Sequence, residues 1–146
     1  MGFKEAIDSV LKRNYANFQG RAARSEYWFF ALFVFIVAGI LSALMFATVD
    51  FNTGQISGLG YVVIAVLAIF YLAILIPSIA VAVRRLHDRN MSGWWYLGFI
   101  VLSAIPFVGI VASIAMLVIF CLKGTDGDNR FGPDPLRPSA RADIFA

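Results

Sequence analysis

The chain has 146 residues, 60% of them hydrophobic and 14% charged, with a net charge of +3. Ordinary soluble domains carry about 25% charged residues, and a soluble chain this short must give most of its surface to water, so the composition points to lipid as the solvent. The single cysteine, Cys121, excludes an internal disulfide, and one cysteine with one histidine cannot build a zinc site.

Residues 1–26 carry both signs of charge and no apolar run, which is unlike a signal peptide. Within them, Phe3, Ile7, Val10, Leu11 and Phe18 fall near one helical face, and Lys4, Asp8 and Lys12 on another. That pattern predicts an amphipathic helix, either lying in the membrane interface or packed on a partner.

Three stretches then lack any charge: residues 27–49, 51–83 and 90–122. About 20 apolar residues span a bilayer core. The first stretch fits one helix and the second fits one longer or tilted helix. Pro77 would kink the latter. Ser25 is placed to cap the first membrane helix, and Glu26 to complement its positive dipole end. Tyr27, Trp28, Tyr61, Trp94, Trp95 and Tyr96 stand near helix ends, where amphipathic aromatics prefer the water–lipid boundary.

The third stretch is too long for a single crossing. Residues 94–122 would make a helix of about 43 Å, against a core of about 30 Å. Ile105-Pro106-Phe107-Val108-Gly109 breaks it near the middle. One long kinked helix and a tight hairpin are both compatible with the break, and charge placement favours the hairpin. Five Lys/Arg precede the first stretch (Lys4, Lys12, Arg13, Arg21, Arg24), three separate the second from the third (Arg84, Arg85, Arg89), and four follow (Lys123, Arg130, Arg137, Arg141). The loop between the first two holds only Asp50. If the third stretch turns back, every basic residue lies on one face, which the positive-inside rule makes cytoplasmic.

The expectation is therefore an all-α, multi-pass transmembrane bundle of about four apolar segments, with an amphipathic N-terminal helix. Residues 1–24 form that helix and a basic linker. Residues 25–122 form the membrane domain, with helices near 26–49, 59–84, 92–104 and 107–122, the last two short, a re-entrant hairpin being the alternative. Residues 123–146 form a cytoplasmic tail rich in Gly and Pro, read as turns followed by irregular chain.

Polar residues gather in three places: residues 20–26, 84–89 and 124–135. Arg84 and Arg85 follow the second membrane helix, where arginine complements the helix dipole and contacts phosphate head groups. A sharper reading joins them with Arg21 and Arg24 in an anion pocket, since the guanidinium fork grips phosphate at two points. His87 and Asp88 suggest a base with an orienting carboxylate, but helical neighbours do not face each other. Asp126, Asp128 and Asn129 lack the terminal glutamate of a calcium loop and read as a turn held by side-chain hydrogen bonds. The candidate ligand-binding set is Arg21, Arg24, Glu26, Arg84, Arg85, His87, Asp88, Asn129 and Arg130. Within it, Arg21, Arg24, Glu26, Arg85, Asp88 and Arg130 are expected to form a buried ion-pair network. No catalytic residue, metal or cofactor is assigned.

The same clusters carry a resemblance. Asn14-Tyr15, Phe18, Gly20-Arg21, Arg24, Glu26-Tyr27-Trp28, Arg84-Arg85-Leu86-His87-Asp88, Ser92-Gly93-Trp94-Trp95, Ile105-Pro106, Gly109, Gly124-Thr125, Gly127 and residues 129–135 resemble the domain of unknown function 805 family, the YhaH-like bacterial inner membrane proteins. The resemblance implies a bacterial inner membrane location and about four helices with cytoplasmic termini, and it implies no reaction.

Membrane lipids are the expected partners, with a homo-oligomer as a further option. Nucleic acid is not expected, because the basic residues alternate with apolar blocks. The function read from these residues is binding of anionic lipid head groups, or of a phosphorylated ligand, through the arginine cluster. The alternatives are a small oligomeric channel or transporter, and a membrane enzyme working at head-group level through His87 and Asp88.

Overall fold

The computed structural model describes residues 1–137, so Arg141 and the last part of the tail lie outside the described residues. The elements in order are α1 (Phe3–Asp8), prolonged by a π-helical turn (Ser9–Arg13), α2 (Arg24–Phe46), β1 (Val49–Asp50), β2 (Gln55–Ile56), α3 (Gly58–Asp88), α4 (Trp94–Ser103) and α5 (Val108–Cys121).

With 23 and 31 residues, α2 and α3 are roughly 35 and 46 Å long. Both are long and apolar enough to cross a membrane, and only 6% and 11% of their most apolar windows are buried inside the protein. A core helix of a soluble protein would be mostly covered. Here large apolar side chains such as Phe35 and Leu72 face outward, 76% and 70% exposed, as a lipid solvent requires. Two-stranded pairing of Val49 with Ile56 and of Asp50 with Gln55 joins the two helices antiparallel. At the opposite end, the Ala22 amide donates to the Arg84 carbonyl at 3.0 Å.

Pro77 lies inside α3. It lacks the N–H that would bond the Ala73 carbonyl one turn back. The Tyr15 hydroxyl, from the chain before α2, donates to that carbonyl at 2.5 Å. The proline thus frees an acceptor, and a residue 58 positions away uses it.

The N-terminal helix packs on α2 of its own chain. Phe3 meets Phe29 edge-on at 6.0 Å, and Val10 joins Ala22, Phe30 and Val81 in a core cluster. The helix ends at Arg13, so Phe18 lies beyond it and is 42% exposed. The buried face includes Ala6 and Ser9 as well as Val10. Ser25 does not cap α2: the helix begins at Arg24 after Ala23, whose side chain has no cap to offer.

The third charge-free stretch folds as a hairpin of two helices, α4 and α5, of 10 and 14 residues, about 15 and 21 Å long. Pro106 and Phe107, the latter at φ +64°, make the turn. A Cβ on Gly109 would overlap the Ser103 carbonyl, so α5 starts hard against the last turn of α4. The hairpin leaves from the end of α3 and returns to it, because Arg85 donates to the carbonyls of Phe120 and Leu122.

Candidate functional site

The site forms where α3 ends. Asn90 adopts a left-handed conformation at φ +58°. The Met91 amide then bonds the Leu86 carbonyl at 3.0 Å, and the Asn90 amide bonds His87 at 2.9 Å. This is the paired closure common at helix C-termini. It leaves the carbonyls of the last turn needing further donors, and the tail supplies them. Thr125 donates to the Asp88 carbonyl through its amide (2.8 Å) and its hydroxyl (3.0 Å). Asn129 Nδ2 donates to the His87 carbonyl at 2.9 Å. The turns that the sequence places in the tail form, as far as residue 137, a cap on α3.

Beneath the cap, Asp88 sits between two buried arginines. Arg21 Nε donates to Asp88 Oδ1 at 3.0 Å, and Arg85 pairs with Asp88 Oδ2. Arg21 also reaches the carbonyls of Thr125 (2.6 Å) and Gly127 (2.5 Å). All three nitrogens of the Arg85 guanidinium are engaged, by Asp88 and by the carbonyls of Phe120 and Leu122. A Cβ on Gly124 would overlap the Asp88 carboxylate, so only glycine lets the tail come this close.

A second pair lies one turn earlier. Arg84 donates to Glu26 Oε1 at 2.9 Å, and Ser9 Oγ donates to the same oxygen at 2.9 Å. This pair ties the π-helical turn after α1 to α2 and α3. Asp134 is also buried. The Leu136 amide, followed by the Gly127 amide and the Arg21 charge, holds its carboxyl below the usual carboxylate range. Arg21, Arg84 and Arg85 thus face Glu26, Asp88 and Asp134, and among the described residues the buried charges balance three against three. Buried charges persist when they are paired and their remaining hydrogen-bonding positions are filled, and carbonyls fill most of them here. Two buried nitrogens, Arg84 Nε and Arg89 Nε, have no partner among the described residues.

The network differs from the expected one in its membership. Arg24 and Arg130 stand outside the ion pairs, and Arg84 stands inside. Arg24 is exposed and makes one contact of 3.4 Å to the Cys121 carbonyl. Arg130 lies over the Phe131 ring and donates to Asn90. Arg84 and Arg85, read from sequence as head-group contacts, point inward because their carboxylate partners lie between the helices. His87 and Asp88 face different partners. The Nδ1 of His87 is 3.1 Å from the Gly20 carbonyl and its ring stacks on Phe131 at 3.9 Å. Asp88 therefore does not orient His87.

Ser9, Thr125 and Asp134 were not among the candidates. Ser9 carried a signal, being a polar residue on the apolar stripe between Ala6 and Val10. Thr125 acts largely on a backbone carbonyl and Asp134 accepts from backbone amides, and such bonds leave no sequence pattern.

The sequence model of a family described as Protein of unknown function (DUF805) matches residues 15–133, a span holding both arginine–carboxylate groups except Ser9 and Asp134. The chain belongs to this family. Its relatives include Inner membrane protein YhaI of Escherichia coli K12, 42% identical over 127 residues, covering 87% of this chain and 92% of the relative. Inner membrane protein YhaH of the same strain is 37% identical over 131 residues, covering 88% and 97%. The uncharacterized protein YiiR is 28% identical over 145 residues, covering 87% and 91%. No solved structure matches the chain.

Proposed function

We propose that this chain is a multi-pass bacterial inner membrane protein with both termini in the cytoplasm, and that it holds anionic phospholipid at the rim of a self-contained arginine–carboxylate clasp. The names of its relatives support the location. Charge placement supports the orientation: the turn between α2 and α3 carries only Asp50, while basic residues gather at the other ends of those helices. Helices α4 and α5 are each shorter than a bilayer core of about 30 Å. In this reading they dip in and return as a re-entrant hairpin covered on one side by α3.

The observation that carries the lipid reading is the division of labour among the arginines. Arg21 and Arg85 spend their donors on Asp88 and on carbonyls, so no fork is left for a ligand. Arg24 keeps its guanidinium exposed over a groove lined by Ser25, Trp28, Phe29 and Cys121, about 330 Å³ in volume. A phosphate bound to Arg24 would leave its acyl chain against Trp28 and Phe29, in the manner of a lipid at the boundary.

The test is the lipid retained by the full chain purified in mild detergent, measured by native mass spectrometry. Arg24→Ala is expected to lower the ratio of anionic to zwitterionic phospholipid about fivefold, the factor set by about 1 kcal/mol per basic residue at a lipid surface. An unchanged ratio overturns the reading.

A further inference from the structure

We propose that the groove between α3 and α4 binds a neutral lipid alcohol whose hydroxyl donates to Nε2 of His87. The groove has a volume of about 560 Å³, within the usual range for small-ligand sites. Phe18, Val83, Trp94 and Leu97 line its apolar walls, and His87 and Ser92 lie at its polar end. It is separate from the Arg24 groove, and the proposal does not depend on the anionic-lipid reading.

The tautomer of His87 follows from its neighbours. The Gly20 carbonyl, 3.1 Å from Nδ1, can only accept, so Nδ1 carries the proton. In the neutral ring, a proton on Nδ1 leaves Nε2 as an acceptor. Nε2 then presents a lone pair. It has no hydrogen-bond partner among the described residues, and it is not sealed from its surroundings as Arg84 Nε and Arg89 Nε are. Stacking on Phe131 at 3.9 Å and 3° fixes the ring plane, so the lone pair is held at the groove.

A lone pair at the head of an apolar groove selects a ligand class. Carboxylates and phosphodiesters bring only acceptors and would set two lone pairs against each other. An ammonium head group brings donors but also a positive charge. The Arg130 guanidinium sits 4.6 Å from the centroid of the same Phe131 ring that stacks on His87, and it repels such a group. A neutral hydroxyl satisfies both conditions, and its hydrocarbon chain occupies the walls. Diacylglycerols and long-chain alcohols have this chemistry.

Trp94, 78% exposed, lies in the groove and serves as reporter. The full chain, with Trp28→Phe and Trp95→Phe, is placed in phosphatidylcholine nanodiscs and titrated with brominated diacylglycerol. Saturable quenching of Trp94 is expected. The O-methyl ether of the same lipid, which cannot donate, is expected to require about fivefold more for half-quenching, the size of one lost neutral hydrogen bond. His87→Phe, which keeps a ring to stack on Phe131, is expected to abolish the difference between alcohol and ether. Equal quenching by ether and alcohol on the unaltered His87 overturns the proposal, whether or not the His87→Phe chain folds. Quenching that merely follows mole fraction, or that brominated phosphatidylcholine, whose head group has no donor, matches, also overturns it.

Discussion

Arg85 has no exposed surface, yet each of its guanidinium nitrogens has a partner. The cost of removing the charge from water is offset by one carboxylate and by carbonyls that α5 must expose at its end anyway. Asp88 serves two arginines at once, so Asp88→Asn strands both. This change is expected to cost about 3–5 kcal/mol, read from denaturation in detergent, whereas Lys12→Ala, whose partner Asp8 faces solvent, is expected to leave the midpoint unchanged. Gly124→Ala should act through the same carboxylate. The added methyl pushes the tail off Asp88, so limited proteolysis should cut within residues 124–137 several times faster while α2 and α3 stay intact. Residue types at this site were legible in the sequence; their assignment was not. Arg24 and Arg130 look like Arg21 and Arg85 when only local charge is considered. They differ because, among the described residues, no carboxylate pairs with them across the bundle.

At the level of elements, helices were the most legible feature, since a charge-free run can satisfy its backbone in lipid only as a helix or a closed barrel. The Pro-Gly break marked the hairpin turn for a similar local reason. How α4 and α5 close was not legible, because it depends on how near Gly109 comes to the Ser103 carbonyl. Gly109→Leu is expected to spread the hairpin and weaken its return to Arg85. A measured rise in the distance between spin labels at residues 97 and 117 would show it, and an unchanged distance would contradict this account. Pro77 gives a second case. A proline frees a carbonyl wherever it stands in a helix, but nothing local names Tyr15 as the donor. Tyr15→Phe should cost about 1–2 kcal/mol, the penalty for a stranded acceptor, with the same helix content by circular dichroism.

For the whole molecule, the proposed topology puts the α2–α3 turn on one side of the membrane and the clasp on the other. With Cys121 replaced by serine, a cysteine at Asn52 should react with an impermeant maleimide applied to intact cells, and a cysteine at Asp126 should not. The reverse pattern would invert the proposed orientation. Labelling of both would rule out the compact clasp, which needs residues 20–26, 84–89 and 120–134 on one side. The sequence by itself determined that this chain is built for lipid, that it is helical, and where its apolar segments lie, because the scarcity and spacing of charge are properties of a one-dimensional string. Only the tertiary structure decided which arginines are spent inside the protein and which are left over. The reason is that folding brings a carboxylate to each spent arginine and, for Arg21 and Arg85, backbone carbonyls from 35 to 111 positions away fill the remaining donors. Every residue carries such a carbonyl, so no residue type marks the ones that matter.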